Sequence, residues 1–317
     1  MTLEARSVQG FVDFVRSGSV AGEVVNVDCG GIQFPIKIVA THATNRTPAP
    51  LVIFFHGAVR QSSPPVPVFE GTFVGTPLRR VANVISIADP SLLLNSTLKT
   101  TWYAGAFGMD VPAALRDMIA GLISGLKPSR VVLAGGSTGG HAAIYQSAFV
   151  PNGVAVACNP IGVISSYNDV HISEYRDFCW SSLGADKCRY SDMATESFSG
   201  DTTSTVVFLC NSRDLHFPKQ SAVLHADLFE RTRSRNVAVV SSFFASHAGH
   251  SYPPSVWLSW IKAAIDAPTS AFADIGEKFE AAAGSPQAKP PVKAHSPSDI
   301  ALAQRVYQQA AQAQGRQ

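Results

Sequence analysis

Eight short apolar runs, each cut off by turn residues, constrain this chain more than any other feature of its sequence. Val24–Val27 and Ile32–Ala40 flank the turn Asp28-Cys29-Gly30-Gly31 and read as a hairpin-like pair of strands. Leu51–Phe55 stops at His56-Gly57, Ala82–Ala88 at Asp89-Pro90 and Arg130–Ala134 at Gly135-Gly136. Val154–Ala157 runs toward Asn159-Pro160, Thr205–Cys210 stops at Asn211-Ser212, and Val237–Phe244 is the last. Strands that expose one face alternate polar and apolar residues; continuous runs like these fit strands covered on both faces. The covering helices are legible between them. Asp110 can cap a segment with Pro112 in its first turn, and Val111, Leu115, Met118, Ile119 and Leu122 recur there at helical spacing. Thr138–Phe149, Phe217–Arg231 (with Val223, Leu224, Leu228 and Phe229) and Ser255–Ile265 (with Trp257, Trp260, Ile261, Ala264 and Ile265) read as three more. Strands alternating with helices predict an α/β fold, a doubly wound and mostly parallel sheet flanked by helices.

One stretch breaks the rhythm. Ile161–Asp201 is polar and aromatic and falls before the penultimate strand. In such a fold it lies over the carboxyl ends of the strands, where ligands bind, so it is expected to be a lid insertion. Beyond Asp266 the composition turns to Ala, Pro, Gln and Ser. The expected division is therefore one domain over 1–266 and a linker with a short helical or disordered tail over 267–317. Within that tail Ser296 can cap a helix whose stripe is Ile300, Ala303, Val306, Tyr307 and Ala310, a surface for an oligomer or partner contact.

Composition excludes several classes of function. A hydrophobic fraction of 46% permits a sizeable core, and a net charge of +2 gives no field to hold nucleic acid. No stretch approaches the roughly 18 uninterrupted apolar residues of a membrane span, and Met1–Ser19 lacks the apolar core of a signal peptide. The expectation is a cytoplasmic protein. Cys158 and Cys210 sit inside apolar runs and read as core residues, Cys179 and Cys188 as reduced thiols able to bridge one loop, and Cys29 has no evident partner. No zinc-ligand spacing is present, and the sequence implies neither a metal nor an organic cofactor.

The chemistry is carried by Gly135-Gly136-Ser137-Thr138-Gly139, a G-x-S-x-G that ends a strand and opens a helix. A nucleophile in so sharp a turn needs small residues two before and two after it, so that strand and helix can approach. The turn lifts the hydroxyl above the sheet, and the helix N-terminus favours developing negative charge. A phosphate-cradling glycine loop is the competing reading, but neither G-x-x-x-x-G-K-[ST] nor G-x-G-x-x-G is present. The backbone N–H groups of Ala58 and Thr138 are the expected oxyanion donors. His56 is read as shaping the loop after its strand, and with Gly57, Arg60 and His247 it is a candidate to line the substrate. In the chain order serine, acid, histidine, Asp214 is the first carboxylate after Thr205–Cys210, with a helix cap as its competing role. After the last strand His250 and His247 compete as base, His250 favoured by the sharp loop that Gly249 allows.

The His56-Gly57 loop, the Ser137 elbow, Asp214 and His250 together resemble the α/β-hydrolase superfamily over roughly residues 20–266. Gly135–Gly140 running into His141-Ala142-Ala143-Ile144-Tyr145, and Ala157-Cys158-Asn159-Pro160 followed by Ile164 and Tyr167, are similar to its accessory-secretion and capsule-biosynthesis branch. That resemblance implies surface-glycan chemistry and an acetyl group as the acyl unit. The expected function is hydrolysis of a carboxylic ester, on a small molecule or an acylated glycan, through an acyl-enzyme. Acyl or acetyl transfer to a sugar hydroxyl, a peptidase or thioesterase, and a non-catalytic interaction module are the alternatives. Trp102, Tyr103, Tyr167, Tyr175, Trp180 and Tyr190 offer faces for a sugar ring or ordinary lid packing.

Overall fold

A computed structural model describes residues 3–5, 7–18, 21–42, 48–59, 67–181, 190–232, 237–242 and 249–283. A strand not read from the sequence, β1 (Leu3–Ala5), comes first, and the eight apolar runs become β2 (Val24–Cys29), β3 (Ile32–Ala40), β4 (Leu51–Phe55), β5 (Asn83–Ile87), β6 (Val131–Gly136), β7 (Val154–Cys158), β8 (Thr205–Asn211) and β9 (Val237–Ser242). Helices are α1 (Val8–Arg16), α2 (Thr72–Gly75), α3 (Val111–Leu126), α4 (Gly139–Ser147), α5 (Asp169–Cys179), α6 (Ser221–Thr232), α7 (Pro254–Asp266) and α8 (Phe272–Ala283). The sheet order is β1-β2-β3-β5-β4-β6-β7-β8-β9. From β5 to β9 every pairing is parallel, while β2 and β3 pair antiparallel to each other and β3 antiparallel to β5. The expected doubly wound, mostly parallel sheet is therefore present.

The continuous apolar runs are explained by burial on both faces. Every residue of β4, β7 and β8 is buried. On one face Ile53, Phe55 and Leu133 pack with α1 and α3; on the other Phe54, Val132 and Val156 pack with α7 and α8. The buried stripe of α3 is Val111, Leu115, Met118, Ile119 and Leu122, as its spacing predicts, and the Asp110 carboxylate accepts from the Ala113 N–H at 3.0 Å. The β2–β3 turn is tight because Gly30 and Gly31 both take positive φ, 64° and 84°. Cys158 and Cys210 are buried core residues; with Cys29 and Cys179 they are free thiols. Burial pushes the Cys179 and Cys210 thiols up to about 12, so both are poor nucleophiles. Among the described residues no helix is long and apolar enough to cross a membrane.

Two expectations need correction. The segment Phe217–Arg231 is not one helix: Phe217–Lys219 forms a 3-10 turn, Gln220 leaves helical geometry, and α6 starts at Ser221. Gln220 does other work, since its amide pairs with both the N–H and the carbonyl of Val163 at 2.8 and 2.9 Å, tying the segment after β7 to that before α6. The packed domain also continues past residue 266. Helix α8 lies on α7, with Ile275 buried and Phe279 stacked on Trp260 at 4.1 Å between ring centroids. Replacing Phe279 by alanine is expected to cost about 2 kcal/mol, below the cost for a fully buried Phe because this ring is only partly covered. Urea unfolding checks this, and an unchanged midpoint would mean that α8 adds nothing to the domain. The proposed tail helix over 296–310, Cys188, Arg60 and His247 lie outside the described residues.

Candidate active site

Strand β6 delivers Ser137 at the carboxyl edge of the sheet. Ser137 has φ of 53°, an uncommon value for a non-glycine residue. The turn is held open by backbone bonds. The Ser137 N–H donates to the Cys158 carbonyl at 2.9 Å, and the Ser137 carbonyl accepts from Gly140 at 3.0 Å and from Ile161 at 2.9 Å. The Ser137 turn is thus braced by its own helix and by the end of β7.

Three side chains from three loops meet at this point. His250 Nε2 lies 2.8 Å from Ser137 Oγ, and His250 Nδ1 lies 2.8 Å from Asp214 Oδ2. Asp214 is buried, whereas the His250 side chain is 35% exposed. The other Asp214 oxygen accepts from the His216 N–H at 3.0 Å, so this residue caps its loop and contacts the histidine at once. With Asp214 ionised, Nδ1–H donates to it and Nε2 is left as acceptor for the serine hydroxyl.

Two asparagines absent from the sequence reading as site residues hold the histidine loop. Asn159, with φ of 40°, donates from Nδ2 to the His250 carbonyl at 2.8 Å and accepts from the Asn211 N–H at 2.7 Å. Asn211 donates from Nδ2 to the Ser251 carbonyl at 2.8 Å. The signal was present as two turn residues ending neighbouring strands. What the sequence could not show was that both amides cross to the same loop.

The loop after β4 approaches Ser137 closely: a Cβ placed on Gly57 would lie 3.2 Å from the Ser137 Cβ. Its flanking amides are spent, Gly57 N–H on Glu70 Oε2 at 3.2 Å and Val59 N–H on the Lys99 carbonyl at 2.7 Å. Between them lies Ala58. His56 is buried and both its ring nitrogens meet backbone: Nδ1–H donates to the Gly57 carbonyl at 2.7 Å and Nε2 accepts from the Asp89 N–H at 3.1 Å. It shapes the loop and offers no nitrogen to a substrate, which corrects its place among the substrate-lining candidates. Asp89 in turn accepts from Thr101 Oγ1 and the Tyr103 N–H, both at 2.6 Å, lacing the loops after β4 and β5 together.

Helix α4 buries His141 one turn below Ser137. Burial drives its pKa from the usual 6.5 down to about 4, only partly offset by the Gly162 carbonyl and Asp192. Because the folded-state value is depressed, protonation favours the unfolded chain: stability is full above pH 6.5 and is lost as pH falls toward 4. The gap corresponds to on the order of 3 kcal/mol. His141→Gln is expected to flatten the stability curve between pH 6.5 and 4, measured by urea unfolding at several pH values. Parallel curves for the two proteins would contradict a neutral buried His141.

A mostly parallel doubly wound sheet, a serine in a strand–turn–helix elbow, and an acid and a histidine after the last two strands define the α/β-hydrolase fold, and this chain has it. No family model and no curated protein matches the chain by sequence. Solved structures match by shape. The capsule O-acetyltransferase of Neisseria meningitidis serogroup A superposes with a TM-score of 0.53 at 12% identity, covering 80% of this chain and 98% of its own. A Staphylococcus aureus protein described as an esterase gives 0.53 at 12% identity, covering 79% and 85%. The acylaminoacyl peptidase of Pyrococcus horikoshii gives 0.54 at 11% identity, covering 81% of this chain and 44% of that one.

Proposed function

We propose that the chain is a serine enzyme that cleaves a carboxylic ester through an acyl-enzyme. The observation that carries this is the unbroken relay Ser137–His250–Asp214, with both contacts at 2.8 Å. His250 Nε2 takes the hydroxyl proton as Ser137 Oγ attacks the carbonyl carbon. Asp214 fixes the tautomer and stabilises the imidazolium. The Ala58 and Thr138 N–H groups receive the oxyanion, and collapse of the tetrahedral intermediate expels the alcohol, which takes the proton from His250. Water then repeats the cycle on the acyl-enzyme.

Transfer of the acyl group to a sugar hydroxyl is the second reading. It is favoured by a cavity of about 650 Å³ lined by Tyr145, Trp180 and Tyr190 together with Asp110, Ser191 and Glu196. Ring contacts link its wall to the relay: Tyr190–Tyr175, Tyr175–Trp102, Trp102–Tyr167, Tyr167–His216 and His216–His250, all with centroids 5.2–5.7 Å apart. Aromatic faces beside polar groups suit a pyranose ring. The segment over 161–201 supplies Trp180, Tyr190, Ser191 and Glu196 to this wall and would act as the lid; the loop after β5 and the start of α3 supply much of the rest.

The test is covalent trapping. A fluorophosphonate probe is expected to add one label per chain, located on Ser137 by peptide mass spectrometry; no label on Ser137 would sink the reading. An acetate, butyrate and octanoate series of p-nitrophenyl esters then sizes the acyl pocket. An O-acetylated oligosaccharide assayed with and without an unacetylated acceptor separates hydrolysis from transfer.

A further inference from the structure

His216 is the residue the proposed ester chemistry leaves unused. Its ring stands edge-on to His250 at 5.2 Å between centroids and lies against Tyr167 at 5.6 Å. One ligand-type atom from each of Asp214, His216 and His250 falls within 4.8 Å of the others. Asp214 is buried while both histidines are partly exposed, so the cluster has a fixed floor and a mouth open to solvent. Two imidazoles and a carboxylate are the donor set of a borderline divalent cation, not of Mg²⁺ or Ca²⁺, which prefer all-oxygen shells.

We propose that Asp214, His216 and His250 bind Zn²⁺ and that the bound ion switches the active serine off. The switching rests on the proposed function; the binding does not. The cation takes the place of the proton between His250 Nδ1 and Asp214 Oδ2, the contact now 2.8 Å long. A neutral imidazole carries one N–H, so coordination through Nδ1 moves that proton to Nε2. The proton count is unchanged and no oxidant or reductant is involved. Nε2 then faces Ser137 Oγ as a donor and has no lone pair to accept the hydroxyl proton. A solvent molecule completes the fourth position, and His216 is the residue that converts a two-ligand contact into a site.

The experiment uses the full chain. Zinc binding is titrated calorimetrically on the Ser137→Ala protein, which keeps all three ligands, and Co²⁺ replaces zinc to give a visible spectrum of tetrahedral N/O ligation. One ion per chain is expected, weakened roughly tenfold or more by His216→Gln. His171→Gln, which alters the neighbour of Tyr167 outside the cluster, is expected to bind as before. Zinc is also expected to inhibit ester hydrolysis by the otherwise unaltered chain, reversibly with a chelator, while Mg²⁺ does not. His216→Gln, scored against its own zinc-free rate and checked for folding by circular dichroism, is expected to lose that inhibition. Absence of binding, or binding and inhibition that His216→Gln leaves unchanged, overturns the proposal. A chain with no esterase activity that still binds zinc through His216 refutes the ester reading and leaves the metal site standing. An active esterase that ignores zinc refutes the metal site alone.

Discussion

Replacing Ser137 by alanine is expected to lower kcat/KM for an activated ester by roughly 10⁴- to 10⁶-fold, and His250→Ala by as much. The size follows from the relay being a unit. Without Oγ there is no acyl-enzyme, and without Nε2 the hydroxyl beside it, 2.8 Å away, has no acceptor for its proton. The double variant is expected to be no worse than either single one, because each already removes the covalent path. Asp214→Asn is expected to lose roughly 10⁴-fold while staying folded: an amide that presents NH₂ to Nδ1 selects the tautomer with its proton on Nε2, the wrong one for a base. His247→Ala is expected to stay within about tenfold of the parent, since the contacts to Ser137 and Asp214 are made by His250. Steady-state rates on p-nitrophenyl acetate decide the matter. A His247 variant as dead as the serine variant would reassign the base, and an additive double variant would break the shared mechanism.

The parts of this molecule that were legible in the sequence are those in which one residue's neighbours along the chain set its role. The buried strands show as continuous apolar runs because the sheet is covered on both faces, and the α3 stripe shows because 3.6-residue spacing is local. Ser137 was legible through the glycines on either side of it, and Asp214 and His250 through their positions after β8 and β9. Roles set across space were not legible. His216 gained its meaning from an edge-on contact with a ring 34 residues away, Asn159 from reaching the carbonyl of His250, and Gln220 from clamping Val163. Helix α8 was missed for a different reason. Its alanine-rich composition resembles that of the segment following it, and its anchor Ile275 and stacking ring Phe279 are too few to give a strong periodic signal, although they suffice once Trp260 is in place to receive them.

Gly135→Ala is expected to destabilise the fold by at least about 4 kcal/mol, and Gly136→Ala, one residue on, to leave it nearly unchanged. The pattern G-x-S-x-G treats its first position as fixed and its second as free, and the packing gives the reason. A Cβ on Gly135 would lie 2.1 Å from the Gly139 carbonyl oxygen and 2.8 Å from the Gly140 nitrogen, which are backbone atoms at the start of α4. Neither can rotate away as a side chain would, so α4 would have to withdraw from β6. The helix is not free to do so. Gly139 sits against the end of β4 so closely that its own Cβ would lie 2.3 Å from the Phe55 carbonyl oxygen, and Gly140 faces Pro160. Any withdrawal also breaks the bonds by which Gly140 and Ile161 hold the Ser137 carbonyl, and with them the strained φ that aims Oγ at His250. A Cβ on Gly136 meets nothing nearer than the Cys158 carbonyl oxygen at 3.9 Å, an ordinary contact, and its φ is not positive. The two variants add the same methyl group at adjacent positions of β6, so composition cancels in the comparison. Urea unfolding measures the stability gap, and fluorophosphonate labelling reads whether Ser137 remains aimed. Equal stability in the two would mean that the close approach of β6 and α4 does not set the geometry of the serine turn.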